Sequence, residues 1–475
     1  LSPLIGYKMD RRRFLKGTAL LSGFLTINPA GLIAGNNKPS SGIKKTAKNI
    51  IFMVSDGMSS GTLAMANQYS LNTLGKNSHW IGLYLENKVS RALMDTASAS
   101  SIVTDSAAAS SAFGGGKRVK NGVLNIGANG EIYTPIWQKF KKAGKKTACV
   151  TTVTITHATP AGFCVNSEKR SAEPEIAEKY AQEGFDVMMG GGDEFFNASK
   201  REDKKDIYSL YQKKGYQILK NRSDLQKAEK GKKLLGVFST GALPYTIDRN
   251  NIPGLQNTPT LSEMTKTAID QIKDNKEGFV LQVEGGKVDW AAHANDVAAL
   301  IHDQLAFEEA VKTVMDFAEK DGNTLVIITT DHGNANPGTI YGAEATKSFN
   351  TIANYKYTNE YILNNIHENF NLQQMKDWIF ETNKFSLTDE EAKHLLSFYT
   401  GAEKQEEGLY NYKKMPFKAY SEIQKKHNSV GWISMDHSGD YVELAMYGPG
   451  SELLKPFVKN TDLHYLMLEA TAVQT

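Results

Sequence analysis

The segment Val103-Thr104-Asp105-Ser106-Ala107-Ala108-Ala109-Ser110 sets a serine between an acidic residue and a run of methyl-sized side chains. Small residues after Ser106 favour a helix that starts there and packs closely on its neighbours. The free N–H groups at a helix N-terminus are a ready site for an anion. Taken alone, a Ser/Ala run is also the ordinary sequence of a close-packed helix. What decides between the two is the set of residues that other segments deliver. The run Asn49 to Val54 ends at Ser55-Asp56-Gly57-Met58, and Lys146 to Val153 leads into His157-Ala158-Thr159-Pro160. Phe279 to Val283 delivers Glu284, and Thr324 to Ile328 carries Asp331 and His332 to its end. Such apolar runs are typical of strands buried on both faces of a parallel sheet. Open α/β sheets bind ligands at the C-terminal ends of their strands. Asp289 and His293 are spaced i, i+4 and so share one helix face, as two ligands of one metal must. His437 follows later, in Asp436-His437-Ser438-Gly439. Several carboxylates crowded at one edge repel each other unless cations neutralise them.

The elements that position these residues are legible in outline. Tyr133 to Ala143 reads as a helix with Pro135 near its start. Thr260 to Lys273 is amphipathic, with Leu261, Met264, Ala268 and Ile272 on one face. Asp303 to Lys320 reads as a helix burying Phe307, Val311, Val314 and Met315. Phe113-Gly114-Gly115-Gly116 reads as a flexible exit from the Ser106 segment, and Gly190-Gly191-Gly192 as a tight turn, since it lacks the lysine of a P-loop. Residues 197–235 are lysine-rich and read as surface helix and loop. From about 337 to 430 the apolar strands stop. There, Thr388-Asp389-Glu390-Glu391 is a capping box, and Leu372 to Phe380 carries a stripe of Met375, Trp378 and Ile379. This segment reads as a helical insertion near the active-site edge. The fold expected is an α/β/α sandwich with a mostly parallel central sheet.

The 475 residues carry 55 basic and 52 acidic side chains, a net charge of +3, which gives no reason to expect a nucleic-acid-binding module. Arg11-Arg12-Arg13-Phe14-Leu15-Lys16 followed by the apolar run Gly17 to Ile27 resembles a twin-arginine export signal. Residues 1–34 are therefore assigned to the signal, 35–48 to a linker and 49–475 to the catalytic domain. The expected location is periplasmic or extracellular, with no stable membrane span once the signal is removed. Cys149 and Cys164 are the two cysteines, too few for a cysteine-based metal site, and read as packed free thiols.

The stretches Ser55-Asp56-Gly57-Met58, Thr104-Asp105-Ser106-Ala107-Ala108, Ala158-Thr159-Pro160-Ala161, Val283-Glu284-Gly285-Gly286-Lys287-Val288-Asp289, Thr330-Asp331-His332 and Asp436-His437-Ser438-Gly439 resemble, in content and order, the motifs of bacterial alkaline phosphatases. The resemblance implies hydrolysis of small-molecule phosphate monoesters at alkaline pH through a phosphoserine at Ser106. It implies one zinc held by Asp289, His293 and His437, and a second by Asp331, His332 and Asp56. A magnesium would sit with Asp56, Glu284 and Thr159, and Arg170 would clamp two phosphate oxygens. A zinc pair about 4 Å apart suits an in-line displacement. The resemblance also allows a homodimer. His157 stands where the enterobacterial pattern has aspartate, and Trp290 where it has lysine. His157, Trp290 and Asp105 are expected beside the ligands, and imidazole at His157 leaves the third metal open. The rival readings are a phosphodiesterase of the same superfamily and an exported, non-enzymatic metal- or phosphate-binding protein.

Overall fold

A computed structural model describes residues 46–405 and 409–474. The export signal and the linker up to residue 45 lie outside the described residues. Ten strands form the central sheet: β1 (Asn49–Val54), β2 (Ser90–Asp95), β3 (Lys146–Thr154), β4 (Val187–Gly191), β5 (Gln217–Leu219), β6 (Leu234–Val237), β7 (Phe279–Glu284), β8 (Thr324–Thr329), β9 (Tyr441–Tyr447) and β10 (Phe457–Lys459). Their order is β10-β2-β9-β8-β1-β7-β3-β4-β6-β5. Only β9 runs against its neighbours, so the sheet is mostly parallel as expected.

Side chains alternate between two cores. Ile51, Met53, Leu281, Val283, Val326 and Ile328 face the helices Leu261–Ile272 and Val297–Asp321. Ile50, Phe52, Val54, Val280 and Ile327 face Phe113, Trp137, Phe140, Phe163 and Tyr180 on the opposite side. With helices on both faces, β1, β7 and β8 are fully buried, which explains their unbroken apolar runs. The segment between about 337 and 430 is mainly helical, and its Ile352, Ile362, Met375, Ile379 and Leu395 join the first core. A two-stranded antiparallel ribbon, Gly338–Thr339 against Val430–Gly431, ties its two ends together.

Several local expectations need correction. Residues 197–235 are more than surface: β5 and the start of β6 lie there, with Leu219, Leu234 and Leu235 fully buried. β2 was not foreseen, because only two of its six residues are buried and its apolar signal is weak. The helix expected from Asp303 starts at Val297, where the Asp296 carboxylate accepts the Ala299 N–H as its N-cap. Gly114 and Gly115 are no flexible exit. They are buried helical residues, and a Cβ on Gly114 would stand 1.9 Å from the Gly162 carbonyl oxygen. Gly114 lets two helices touch, and Gly115 leaves room for the Asn125 and Tyr133 side chains. Gly190 and Gly191 end β4, and only Gly192, at φ 102°, makes the turn. Cys149 and Cys164 are buried and unbonded, their Sγ atoms 3.6 Å apart.

Candidate metal centre and nucleophile

Parallel strands share a C-terminal edge, and the chemistry gathers there. Asp56 follows β1, Glu284 ends β7, and Asp331 and His332 follow β8. His157 caps the short helix Ala158–Cys164, which follows β3 and carries Thr159. Asp289 and His293 lie on the single helix Lys287–His293, as their spacing predicts. His437 arrives from far along the chain because His437–Ser438 pairs antiparallel with Gly333–Asn334, directly after His332. Ser106 opens the helix Ser106–Gly115, is 1% exposed, and has its Oγ 3.3 Å from His332 Nε2. Asp105 is that helix's N-cap, accepting the Ala108 N–H at 2.9 Å.

Three ligand groups result: Asp289, His293 and His437; Asp56, Asp331 and His332; and Asp56, His157 and Glu284. Within each group the ligand atoms lie within 4.8 Å of one another. The closest separations are telling. His293 Nε2 is 3.1 Å from His437 Nε2 and 3.4 Å from Asp289 Oδ2, and His437 Nε2 is 3.5 Å from Asp289 Oδ1. His332 Nε2 is 3.3 Å from Asp331 Oδ2 and 3.5 Å from Asp56 Oδ1. Atoms bound at about 2.1 Å to one tetrahedral ion stand about 3.4 Å apart, so these edges are of zinc-site size. The imidazoles are also turned correctly. Nδ1 of His293, His437 and His332 faces the carbonyls of Met435, Thr104 and Gly333 at 2.6, 2.9 and 3.3 Å. A carbonyl can only accept, so each ring, when neutral, carries its proton on Nδ1 and presents the Nε2 lone pair inward.

The electrostatics ask for positive charge. Burial, then the charges of Asp331, Asp289 and Glu284, holds Asp56 well above the usual carboxylate range. Burial, with Asp331 adding to it, pushes Glu284 up to about 8; burial and the Asp289 charge push Asp331 up to about 6. Around Asp289, burial is outweighed by the neighbouring His293, His437 and His332, so that carboxyl is held low. Burial lowers His293, yet Asp289 carries it up to about 9, so a proton there offsets charge that a cation would otherwise neutralise. Asp56 Oδ1, Asp331 Oδ2 and both Glu284 carboxylate oxygens are buried with no hydrogen-bond partner. Unpartnered buried carboxylate oxygens at metal-ligand spacing fit divalent cations well.

The anion side is built from the same segments. The Arg170 guanidinium donates to Asp105 Oδ2 at 3.0 Å and to His157 Nε2 at 3.2 Å, which fixes its orientation beside Ser106. A guanidinium only donates, so His157 Nε2 accepts and its proton sits on Nδ1, which is buried without a partner. Burial and the Arg170 charge hold His157 down at about 3, so the ring is neutral. In this arrangement His157 props Arg170. Trp290 packs edge-on to His157 at 6.4 Å, with the buried Lys287 ammonium 4.5 Å from the indole ring centre. Thr159 Oγ1 donates to Asp56 Oδ2 at 3.3 Å.

Sequence reasoning missed several supporting groups. Asn334 Nδ2 donates to Asp289 Oδ1 at 2.7 Å. Thr330 Oγ1 accepts the Met58 N–H and donates to the His332 carbonyl. Asn334 stands two residues after His332, close enough to the Asp331-His332 motif to be read as a signal. The carbonyls of Thr104 and Met435 leave no mark in side-chain identity. Gly57 has φ 68°, and a Cβ there would lie 2.5 Å from Asp289 Oδ1, so glycine is required where the Asp56 and Asp289 segments meet.

Comparison with known proteins agrees with this architecture. Residues 47–473 match the alkaline phosphatase family model. The chain is 31% identical to alkaline phosphatase 4 of Bacillus subtilis over 470 residues, covering 96% of this chain and 97% of that one. The crystal structure of Thermus thermophilus alkaline phosphatase superposes with a TM-score of 0.83 at 30% identity, covering 94% of this chain and 96% of that one. A cold-active alkaline phosphatase from Shewanella sp. gives a TM-score of 0.75 at 25% identity, covering 89% of this chain and 99% of that one.

Proposed function

The chain belongs to the alkaline phosphatase family, and on that premise we propose that Ser106 is the nucleophile of a phosphate monoester hydrolase with two zinc sites and one magnesium site. The protein is a metal-dependent phosphatase acting on phosphate monoesters. Asp289, His293 and His437 would hold one zinc; Asp56, Asp331 and His332 would hold the other, beside Ser106 Oγ. Asp56, Glu284 and Thr159 would hold magnesium, whose preference for oxygen ligands suits that set. Bound there, the cations would lower the pKa of a neighbouring hydroxyl and neutralise charge developing during in-line displacement.

The remaining work falls to the chain itself. Arg170, held by Asp105 and His157, presents its planar fork to two oxygens of the phosphoryl group. Ser106 gives its hydroxyl proton to solvent and its Oγ attacks phosphorus from the Asp331/His332 side; the P–O bond to the alcohol breaks on the opposite side, toward Asp289, His293 and His437, and the departing oxygen takes a proton from water. The N-terminus of the Ser106–Gly115 helix favours the negative charge of the phosphoserine. Water then attacks the phosphoserine from the side the alcohol vacated, releasing phosphate with net retention at phosphorus. Inorganic phosphate inhibits as product.

The carrying observation is the Ser106 Oγ placed 3.3 Å from His332 Nε2, inside a basin of unpartnered carboxylate oxygens. Arg170 favours a monoester dianion over a diester. Hydrolysis of p-nitrophenyl phosphate and bis(p-nitrophenyl) phosphate at alkaline pH tests the reading. Preference for the monoester, lost with EDTA and with Ser106→Ala, is expected; preference for the diester, or a fully active Ser106→Ala, would overturn it. Arg11-Arg12-Arg13 and the apolar run behind them support export by the twin-arginine route. Among the described residues no helix is long and apolar enough to cross a membrane.

A further inference from the structure

Lys287 opens the helix that presents Asp289 and His293 to the metal centre, yet it has no part in the mechanism. The residue is only 5% exposed. Among the described residues its ammonium forms no ion pair or hydrogen bond. It lies instead against two aromatic rings, 3.4 Å from the ring centre of Tyr245 and 4.5 Å from that of Trp290. A desolvated cation over ring faces at such distances is strongly attracted, and indole is the best partner for it. Burial works against the charge, while the carboxylates of Glu360, Asp303 and Asp248 support it from farther away.

Trp290 lacks the anchor that other tryptophans of the chain have. Trp80, Trp137 and Trp378 each donate the indole N–H, to the Tyr84 hydroxyl and to the carbonyls of Ala148 and Ile362. Among the described residues Trp290 has no such bond; it has Lys287, three residues earlier on the same side of the helix. The indole in turn meets His157 edge-on, with ring centres 6.4 Å apart. His157 Nε2 accepts from Arg170 at 3.2 Å, but its Nδ1 is buried without a partner. The rings of His293, His437 and His332 are each fixed by a carbonyl at Nδ1. At His157 packing against the indole does that work.

We propose that Lys287 is a positioning residue for phosphate binding: its ammonium holds the Trp290 indole, the indole fixes the His157 ring, and His157 holds Arg170 on the phosphoryl oxygens. The proposal rests on the reading of Arg170 as the phosphate clamp. A lysine that merely balanced Glu360, Asp303 and Asp248 would affect stability and leave phosphate affinity alone.

Inorganic phosphate, competing with p-nitrophenyl phosphate on the metal-loaded full chain, provides the test. Lys287→Met keeps the apolar stem and removes the charge. KM and the phosphate inhibition constant should rise about three- to fivefold while kcat moves less, with the zinc content unchanged. Lys287→Arg keeps a cation for the indole and should return both constants to within about twofold of wild type. In a Trp290→Leu background, Lys287→Met should add less than about 1.5-fold, because the connection is already cut. Lys287→Gln carries the same comparison should Lys287→Met not fold. Unchanged phosphate inhibition in the folded variant, or an equal rise with and without Trp290, would overturn the proposal. So would a rise that tracks loss of zinc, since the lysine would then serve Asp289. Unchanged phosphate inhibition in Arg170→Ala would instead remove the clamp reading, and the proposal with it.

Discussion

The basin at the sheet edge buries Asp56, Glu284 and Asp331; the junction with the helical segment buries Asp248 and Asp296, and Asp303 is buried where its helix meets Thr246. Burial raises the pKa in both places: Glu284 to about 8 and Asp331 to about 6, against Asp248 at about 6 and Asp296 and Asp303 at about 7. Titration behaviour alone therefore does not separate them; hydrogen bonding does. Asp248 accepts the N–H and hydroxyl of Thr358 at 2.9 and 2.7 Å, and Asp303 accepts the N–H and hydroxyl of Thr246 at 3.1 and 3.0 Å. Asp296 accepts the N–H groups of Ala299 and Asn359. Every oxygen at the junction has a donor, whereas four oxygens in the basin have none. A buried carboxylate whose oxygens are all satisfied acts as a structural staple, here joining Thr358 and Asn359 to the core. One left unsatisfied is a functional group awaiting a cation.

The contrast breaks most visibly by mutation in the basin. Asp56→Asn should lower kcat/KM by about three orders of magnitude, since Asp56 belongs to two ligand groups. In chelator the same variant should be more stable than wild type by about 1–2 kcal/mol, because it removes a charge crowded by Asp331, Asp289 and Glu284. Paired assays and thermal melts check both halves. At the junction the sign reverses. Asp248→Ala strips the acceptor from two Thr358 donors and should cost about 2–3 kcal/mol, with or without metal, while kcat/KM falls only severalfold.

His157→Ala sharpens the picture on the anion side. Arg170 loses one of its two props, so KM and the phosphate inhibition constant should rise about tenfold while kcat moves less. The smallest expected effect concerns pH. Burial raises Asp303, against the opposing pull of Lys287 and Thr246, to about 7 in the folded chain. A carboxyl with a higher pKa folded than unfolded binds its proton more tightly when folded. Its stabilising contribution is thus fullest below about pH 4 and is lost as the pH rises toward 7. Asp303→Asn does not titrate. Its stability relative to wild type should rise by about 1 kcal/mol between pH 5 and pH 6, and a constant gap would count against the assignment.

The sequence announces the basin far better than the junction. Asp56, Glu284, Asp331 and His332 stand at the ends of apolar runs that a parallel sheet must align, so their meeting was readable. Asp289 and His293 needed only helical spacing. The route that brings His437 in was not readable, because it depends on a two-residue ribbon against Gly333–Asn334 too short to leave a pattern. Asp248, Asp296 and Asp303 look like surface aspartates in sequence, since their donors, apart from the Ala299 N–H that Asp296 caps, come from Thr358, Asn359 and Thr246, distant along the chain. β5 and β6 escaped notice for a related reason. They are three and four residues long, and flanking lysines mask their burial.

The central claim is that unpartnered carboxylates and inward-facing imidazoles mark cation sites. Elemental analysis of the full chain, stripped with chelator and reloaded with zinc and magnesium, tests it most directly. The account predicts two zinc and one magnesium per chain, loss of at least one zinc in Asp289→Ala, and unchanged content in Asp303→Asn. Retention of no stoichiometric metal by the wild type, or equal loss in both variants, would contradict it.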